Sequence, residues 1–137
     1  MKILLLLAIF CAVSYASIKP KWTTIKADSR FEITEVIAES APVRGQYNTI
    51  NICGMPKYSG DSLTGINYEI GANYGSEQNI KYEAGYVYDG ADLNPGSLIC
   101  KFFSFRVPPF AESTFYVTLY FSATENYMSQ VYIEFNI

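Results

Sequence analysis

Histidine is absent from all 137 residues. That removes the commonest general base and the commonest metal ligand, and with them a serine triad of the usual kind. Cationic residues are few: 10 lysines and arginines face 13 acidic residues, and the net charge is −3 at pH 7. Nucleic acid is thereby excluded as a partner, because counterion release needs a cationic surface. A strongly anionic membrane is a poor docking surface for the same reason. No glycine loop follows a strand and opens a helix, so a phosphate cradle is missing. Asn48-Thr49-Ile50 and Asn94-Pro95-Gly96 both fail the glycosylation pattern. After the first residues no apolar run is long enough to cross a bilayer as a helix.

What is present begins with a secretory signal. Lys2 supplies the positive start and Ile3 to Val13 the short apolar run. Ser14-Tyr15-Ala16 offers small residues at the −3 and −1 positions of a cleavage site. The reading is a signal peptide over residues 1–16 and one mature domain over 17–137, too short for two cores. Cleavage near Ala16 removes Lys2 and makes the mature chain one charge more negative. Of the 3 cysteines, Cys11 leaves with the signal. Cys53 and Cys100 remain, and an even pair in an exported chain forms one disulfide more often than two buried free thiols.

The mature sequence alternates with the period of strands and shows almost no helical period. Seven runs stand out: Phe31 to Ala38, Tyr47 to Cys53, Leu63 to Ala72, Asn79 to Tyr88, Leu98 to Val107, Thr114 to Thr124 and Gln130 to Ile137. In the fourth, Ile80, Tyr82, Ala84, Tyr86 and Tyr88 alternate with Lys81 and Glu83. Turn chemistry separates the runs. Ala41-Pro42-Val43-Arg44-Gly45 follows the first, Gly54-Met55-Pro56 with Ser59-Gly60-Asp61 the second, and Gly71 with Gly75 the third. Asp89-Gly90 and Asn94-Pro95-Gly96 follow the fourth, and Pro108-Pro109 ends the fifth. Ser122 to Ser129 closes the last hairpin. The fold class read from this is all-β: an immunoglobulin-like, two-sheet antiparallel sandwich of about seven strands.

Catalytic chemistry finds no constellation. Glu69, Glu83 and Glu134 are the carboxylates that glycoside hydrolysis would need. Each sits opposite apolar neighbours on its strand, which places it on a solvated outer face. Asp89 and Asp92 flank a turn, but two carboxylates are few for calcium. The chain is read as no enzyme, with no cofactor and no metal.

The apolar content is high. Half of the residues are hydrophobic and 16% are aromatic, whereas a two-sheet sandwich needs a core only about 10 Å thick. Either the aromatics fill that core and decorate outer faces, or the sheets part around a lined cavity.

The order of motifs resembles the MD-2-related lipid-recognition family, the ML domain, which includes Niemann–Pick type C2 sterol carriers and phosphatidylglycerol/phosphatidylinositol transfer proteins. Phe31-Glu32-Ile33-Thr34-Glu35-Val36 leads to Ala41-Pro42-Val43-Arg44-Gly45 and then Thr49-Ile50-Asn51-Ile52-Cys53-Gly54. Asn94-Pro95-Gly96, Phe103-Ser104-Phe105-Arg106-Val107-Pro108, Phe115-Tyr116-Val117 and Val131-Tyr132-Ile133-Glu134-Phe135 follow in the family's order. The resemblance spans about residues 24–137. One departure is plain: the family's bridge from the mature N-terminus to the final strand has neither cysteine here.

The resemblance implies a secreted or endolysosomal lipid-binding or lipid-transfer protein that holds a sterol or acyl chain between its sheets. Its partners would be that lipid, an acceptor membrane or a protein receptor, and it would act as a monomer. The lining it implies is the apolar face of each strand: Ile33, Ile50, Ile52, Ile66, Tyr68, Phe103, Phe105, Phe115, Val117, Leu119, Phe121, Ile133 and Phe135. Tyrosine hydroxyls or Lys57 near the loops would hold a headgroup. The alternative is a secreted adhesion or interaction module with a filled core, whose edge strands and exposed tyrosines meet a protein or sugar.

Strand parity adds one expectation about the cysteines. Ile50 and Ile52 share a face, so Cys53 has the opposite parity. Phe103, Phe105 and Val107 share a face, so Cys100 does too. The second and fifth strands are neighbours in an immunoglobulin-type sandwich. A cross-strand Cys53–Cys100 disulfide on the outer face is therefore expected.

Overall fold

A computed structural model describes residues 17–24, 30–58, 62–92, 94–122 and 127–137. Residues 1–16, read above as a signal peptide, Ser59-Gly60-Asp61 and residues 123–126 of the last hairpin loop lie outside the described residues. Among the described residues eight strands are present: β1 (Lys21–Thr24), β2 (Phe31–Ala38), β3 (Tyr47–Pro56), β4 (Ser62–Tyr74), β5 (Glu77–Asp92), β6 (Ile99–Arg106), β7 (Thr114–Ser122) and β8 (Tyr127–Asn136). They form a five-stranded sheet, β1-β8-β7-β4-β5, and a three-stranded sheet, β2-β3-β6. Every pairing is antiparallel. The expected sandwich is the observed one.

Alternation builds the faces. On β7 Phe115, Val117, Leu119 and Phe121 are buried and the residues between them are half-exposed. Rings meet across the two sheets: Phe31 and Phe121 have centroids 5.4 Å apart, and Phe105 lies 5.9 Å from Phe115 and 5.7 Å from Phe135. This aromatic layer is the centre of the core.

β1 is the strand that periodicity missed, since four residues with one tryptophan are too few to show a period. Its N-terminal extension matters more than its length. Ile18 exchanges backbone hydrogen bonds with Ala38 of β2. Lys21 to Thr24 then pair with β8. The segment thus passes from one sheet to the other and closes that side of the sandwich with backbone hydrogen bonds. The junction of N-terminus and last strand stands here without a disulfide.

Bulges shift the buried face along two strands and correct the alternation expected on one of them. On β2 the register shifts between Ile33 and Glu35, so burial falls on Phe31 and Ile33 before the shift and on Val36 and Ala38 after it. On β5 three irregularities each place an extra residue opposite β4. Tyr82 is one of them. Beyond it the parity reverses: Ala84 and Tyr86 stand opposite Glu69 and Asn67 on the outer face, and Tyr88 opposite Gly65. Glu83 stands opposite the buried Ile70, on the inner face. The alternation expected over residues 80 to 88 therefore breaks at Tyr82, and Glu83 is not an outer-face carboxylate.

Two turn signals were also misplaced. Gly54-Met55-Pro56 continues β3 and Asp89-Gly90 lies inside β5. Pairing with β2 holds Gly54-Met55-Pro56 extended, whereas Asp89-Gly90 falls at the register shift opposite Leu63 and Gly65, where β5 carries an extra residue. Gly75 does turn the β4–β5 hairpin, with a positive φ of 57° that favours glycine.

Candidate functional site

The thirteen residues expected to line a ligand space come from six strands and meet between the sheets. Twelve of them belong to the buried core; Tyr68 packs against it half-buried. Seven of the twelve (Ile50, Ile52, Phe115, Val117, Leu119, Phe121 and Ile133) expose no surface at all. A side chain with no exposed surface borders no space large enough for a water molecule, so the faces touch at these positions. Phe31, Ile70 and Val131 share this layer.

The two sides of the sandwich differ. One is closed by the N-terminal segment. On the other, β5 and β6 are the free edges of their sheets and share no ladder. Among the described residues, side-chain contacts bridge that side. The Tyr68 ring lies 5.0 Å from that of Phe103. A Cβ on Gly85 would stand 2.8 Å from the Tyr68 hydroxyl, so only glycine admits this approach. The hydroxyl donates a 2.8 Å hydrogen bond to Glu83 Oε1. That bond, then burial, then the Glu83 charge hold the Tyr68 phenol above its ordinary ionisation range. Further along, Lys101 Nζ meets Asp89 Oδ1 at 2.7 Å, with both side chains largely covered. Val87, on the same inner face of β5 as Glu83, is 41% exposed.

Several residues prove to have structural partners. Asp89 is taken by Lys101, and Asp92 accepts a 3.2 Å hydrogen bond from Ser62. Among the described residues no group of three metal-ligating side chains occurs. Glu69 pairs with Lys81 at 3.2 Å on the outer face. Lys57 is exposed just past β3.

The disulfide is formed. Cys53 and Cys100 are register partners on β3 and β6. Both have the parity opposite to the core, as expected, yet only Cys100 is exposed while Cys53 is covered.

No family model matches the sequence, and no curated protein does. Solved structures with the same fold do exist. A Niemann-Pick type C2 protein from Japanese carpenter ant superposes with a TM-score of 0.56 at 8% identity, covering 85% of this chain and 98% of that one. A protein from Archaeoglobus fulgidus gives a TM-score of 0.51 at 16% identity, covering 77% of this chain and 98% of that one. At such identities the likeness is one of fold, and the fold is the two-sheet sandwich these proteins share with this chain.

Proposed function

We propose that this chain is a secreted lipid-binding protein that takes an acyl chain or sterol between its two sheets through the side between β5 and β6. The observation that carries this reading is the asymmetry of the sandwich. One side is tied by backbone hydrogen bonds through Ile18 and β1. The other is held by the Tyr68–Phe103 contact and the Lys101–Asp89 pair, with no ladder between the edges.

Among the described residues, separating β5 from β6 breaks no ladder of backbone hydrogen bonds. It exposes apolar surface that a hydrocarbon would cover again. At about 0.8 kcal/mol per buried methylene, a long acyl chain gains on the order of 10 kcal/mol gross. The displaced core contacts and the cost of association remove much of this. Fold likeness to a Niemann-Pick type C2 protein supports the reading. So does the aromatic inner face, whose rings can slide without losing polar partners.

The test is denaturing extraction of natively purified protein, followed by mass spectrometry of small apolar molecules. A stoichiometric lipid or sterol supports the reading. Protein that is lipid-free as purified and takes up no fluorescent fatty acid or sterol overturns it.

A second reading rests on the complete burial of Ile50, Ile52, Phe115 and Phe121. A core closed at its centre also suits an interaction module whose outer surfaces meet a partner. The same extraction separates the two.

A further inference from the structure

The outer face of the five-stranded sheet has its own architecture, unrelated to the core. Register sets it out in rungs. One rung runs Tyr116, Gly71, Lys81 across β7, β4 and β5; the next runs Thr118, Glu69, Ala84; the next Tyr120, Asn67, Tyr86. The residues are large at the ends and small at Gly71 and Ala84, so two hollows form. The first has a volume of about 150 Å³ and lies over Gly71, with Tyr116 and Tyr132 on one side and Lys81 on the other. The second lies over Ala84 and Gly85, between Tyr120 and Tyr86. Glu69 borders both.

The polar groups are held in place. The Tyr116 and Tyr132 rings stack at 5.2 Å. Asn73 Nδ2 donates to the Tyr116 hydroxyl at 3.0 Å. Asn67 Nδ2 donates to Ser122 Oγ at 3.0 Å. Lys81 engages one Glu69 oxygen at 3.2 Å. A carboxylate has about four acceptor sites, so Glu69 can take further hydroxyl donors.

These features narrow the ligand. The three rungs carry no Ile, Leu or Val, so the face does not match a lipid or an apolar protein surface. Lys81 offsets Glu69, and Lys21 offsets Glu134 on the rung beside Tyr116, so an anionic polymer gains nothing from charge. Tyrosine offers an apolar ring with a polar tip. Its natural complement is a molecule with an apolar C–H face rimmed by hydroxyls. We infer that this face is a binding site for a neutral saccharide, with two sugar units seated in the hollows over Gly71 and Ala84 and Glu69 accepting hydroxyls from both. The site is independent of what occupies the interior.

The experiment is calorimetric titration of the native protein with neutral hexasaccharides of glucose, mannose and N-acetylglucosamine, with heparin octasaccharide as the anionic comparison. The expected result is saturable binding of at least one neutral saccharide at millimolar affinity or tighter, with none of heparin. Glu69→Gln keeps the shape and loses the anionic acceptor. It should weaken binding about tenfold or more, the worth of a charge-assisted hydrogen bond. Ala84→Arg fills the second hollow and should weaken binding by at least as much. Thr49→Ala, on the outer face of the other sheet, should bind like the parent. Thermal melts establish that each variant is folded, and Glu69→Gln, which removes only an exposed ion pair, reads alone if Ala84→Arg does not fold. Failure of every neutral saccharide to bind, preference for heparin, or full affinity in folded Glu69→Gln overturns the inference.

Discussion

Cys53 and Cys100 stand opposite each other on β3 and β6 with their Cα atoms 4.1 Å apart, and a disulfide joins them. The separation suits a narrow, non-hydrogen-bonded pair of an antiparallel ladder. The bond closes a loop with a sequence separation of 47 that contains the whole β4–β5 hairpin. It therefore ties the three-stranded sheet to the segment that leaves it for the other sheet and returns.

Removing that bond should cost stability mainly through the unfolded chain. Chain-entropy treatment gives about 4 kcal/mol for a loop of this length. The double substitution Cys53→Ala with Cys100→Ala should lower the urea midpoint accordingly, while the far-ultraviolet spectrum stays that of a β protein. An unchanged midpoint would show that the bridge contributes nothing.

The cross-sheet contact of Phe31 with Phe121 predicts a costly truncation. Phe121 has no exposed surface. Phe121→Ala removes its ring and leaves a void beside Phe31, with an expected loss of about 3–5 kcal/mol. Phe121→Asp should fail to fold, since an unpaired charge there has no partner. Denaturant melts of the Ala variant give the measurement.

Two phenols should titrate late. Burial, then the charges of Tyr116 and Glu134 and a hydrogen bond to Tyr116, push the Tyr132 hydroxyl up to about 12. Spectrophotometric titration should show a phenol ionising at about 12, and Tyr132→Phe should remove it. Because the folded value lies above the unfolded value of 10.0, the stabilisation from Tyr132 is complete below about pH 10. It should fade as pH rises toward 12. Tyr68 is raised chiefly by its hydrogen bond to Glu83, so Glu83→Gln should bring its ionisation down toward that of an ordinary phenol.

Tyr68 engages Glu83 and Lys81 engages Glu69. Purified protein should hydrolyse neither lipid esters nor glycosides. Turnover that tracks with the protein and disappears in Glu83→Gln would contradict this.

The period-two pattern determined the β class, the extent of β2 and the buried faces of β3, β6, β7 and β8. These faces are legible because burial on one side of a regular strand imposes strict alternation. The parity of Cys53 and Cys100 followed from the same regularity, and β3 and β6 pair without a register shift from Tyr47 to Gly54. Sequence could not determine what depends on a change of register. Thr34 and Tyr82 look like ordinary members of their strands, yet each is an extra residue that reverses the faces beyond it. Glu83 thereby reaches Tyr68, and Ala84 and Tyr86 join the outer face. β1 has too few residues to carry a period, and its place is decided by the open edge of β8. The hollows over Gly71 and Ala84 need three strands in register before they exist. Local alternation is a property of one strand; bulges, edges and concave surfaces are properties of strands held together, and only the tertiary structure decides them.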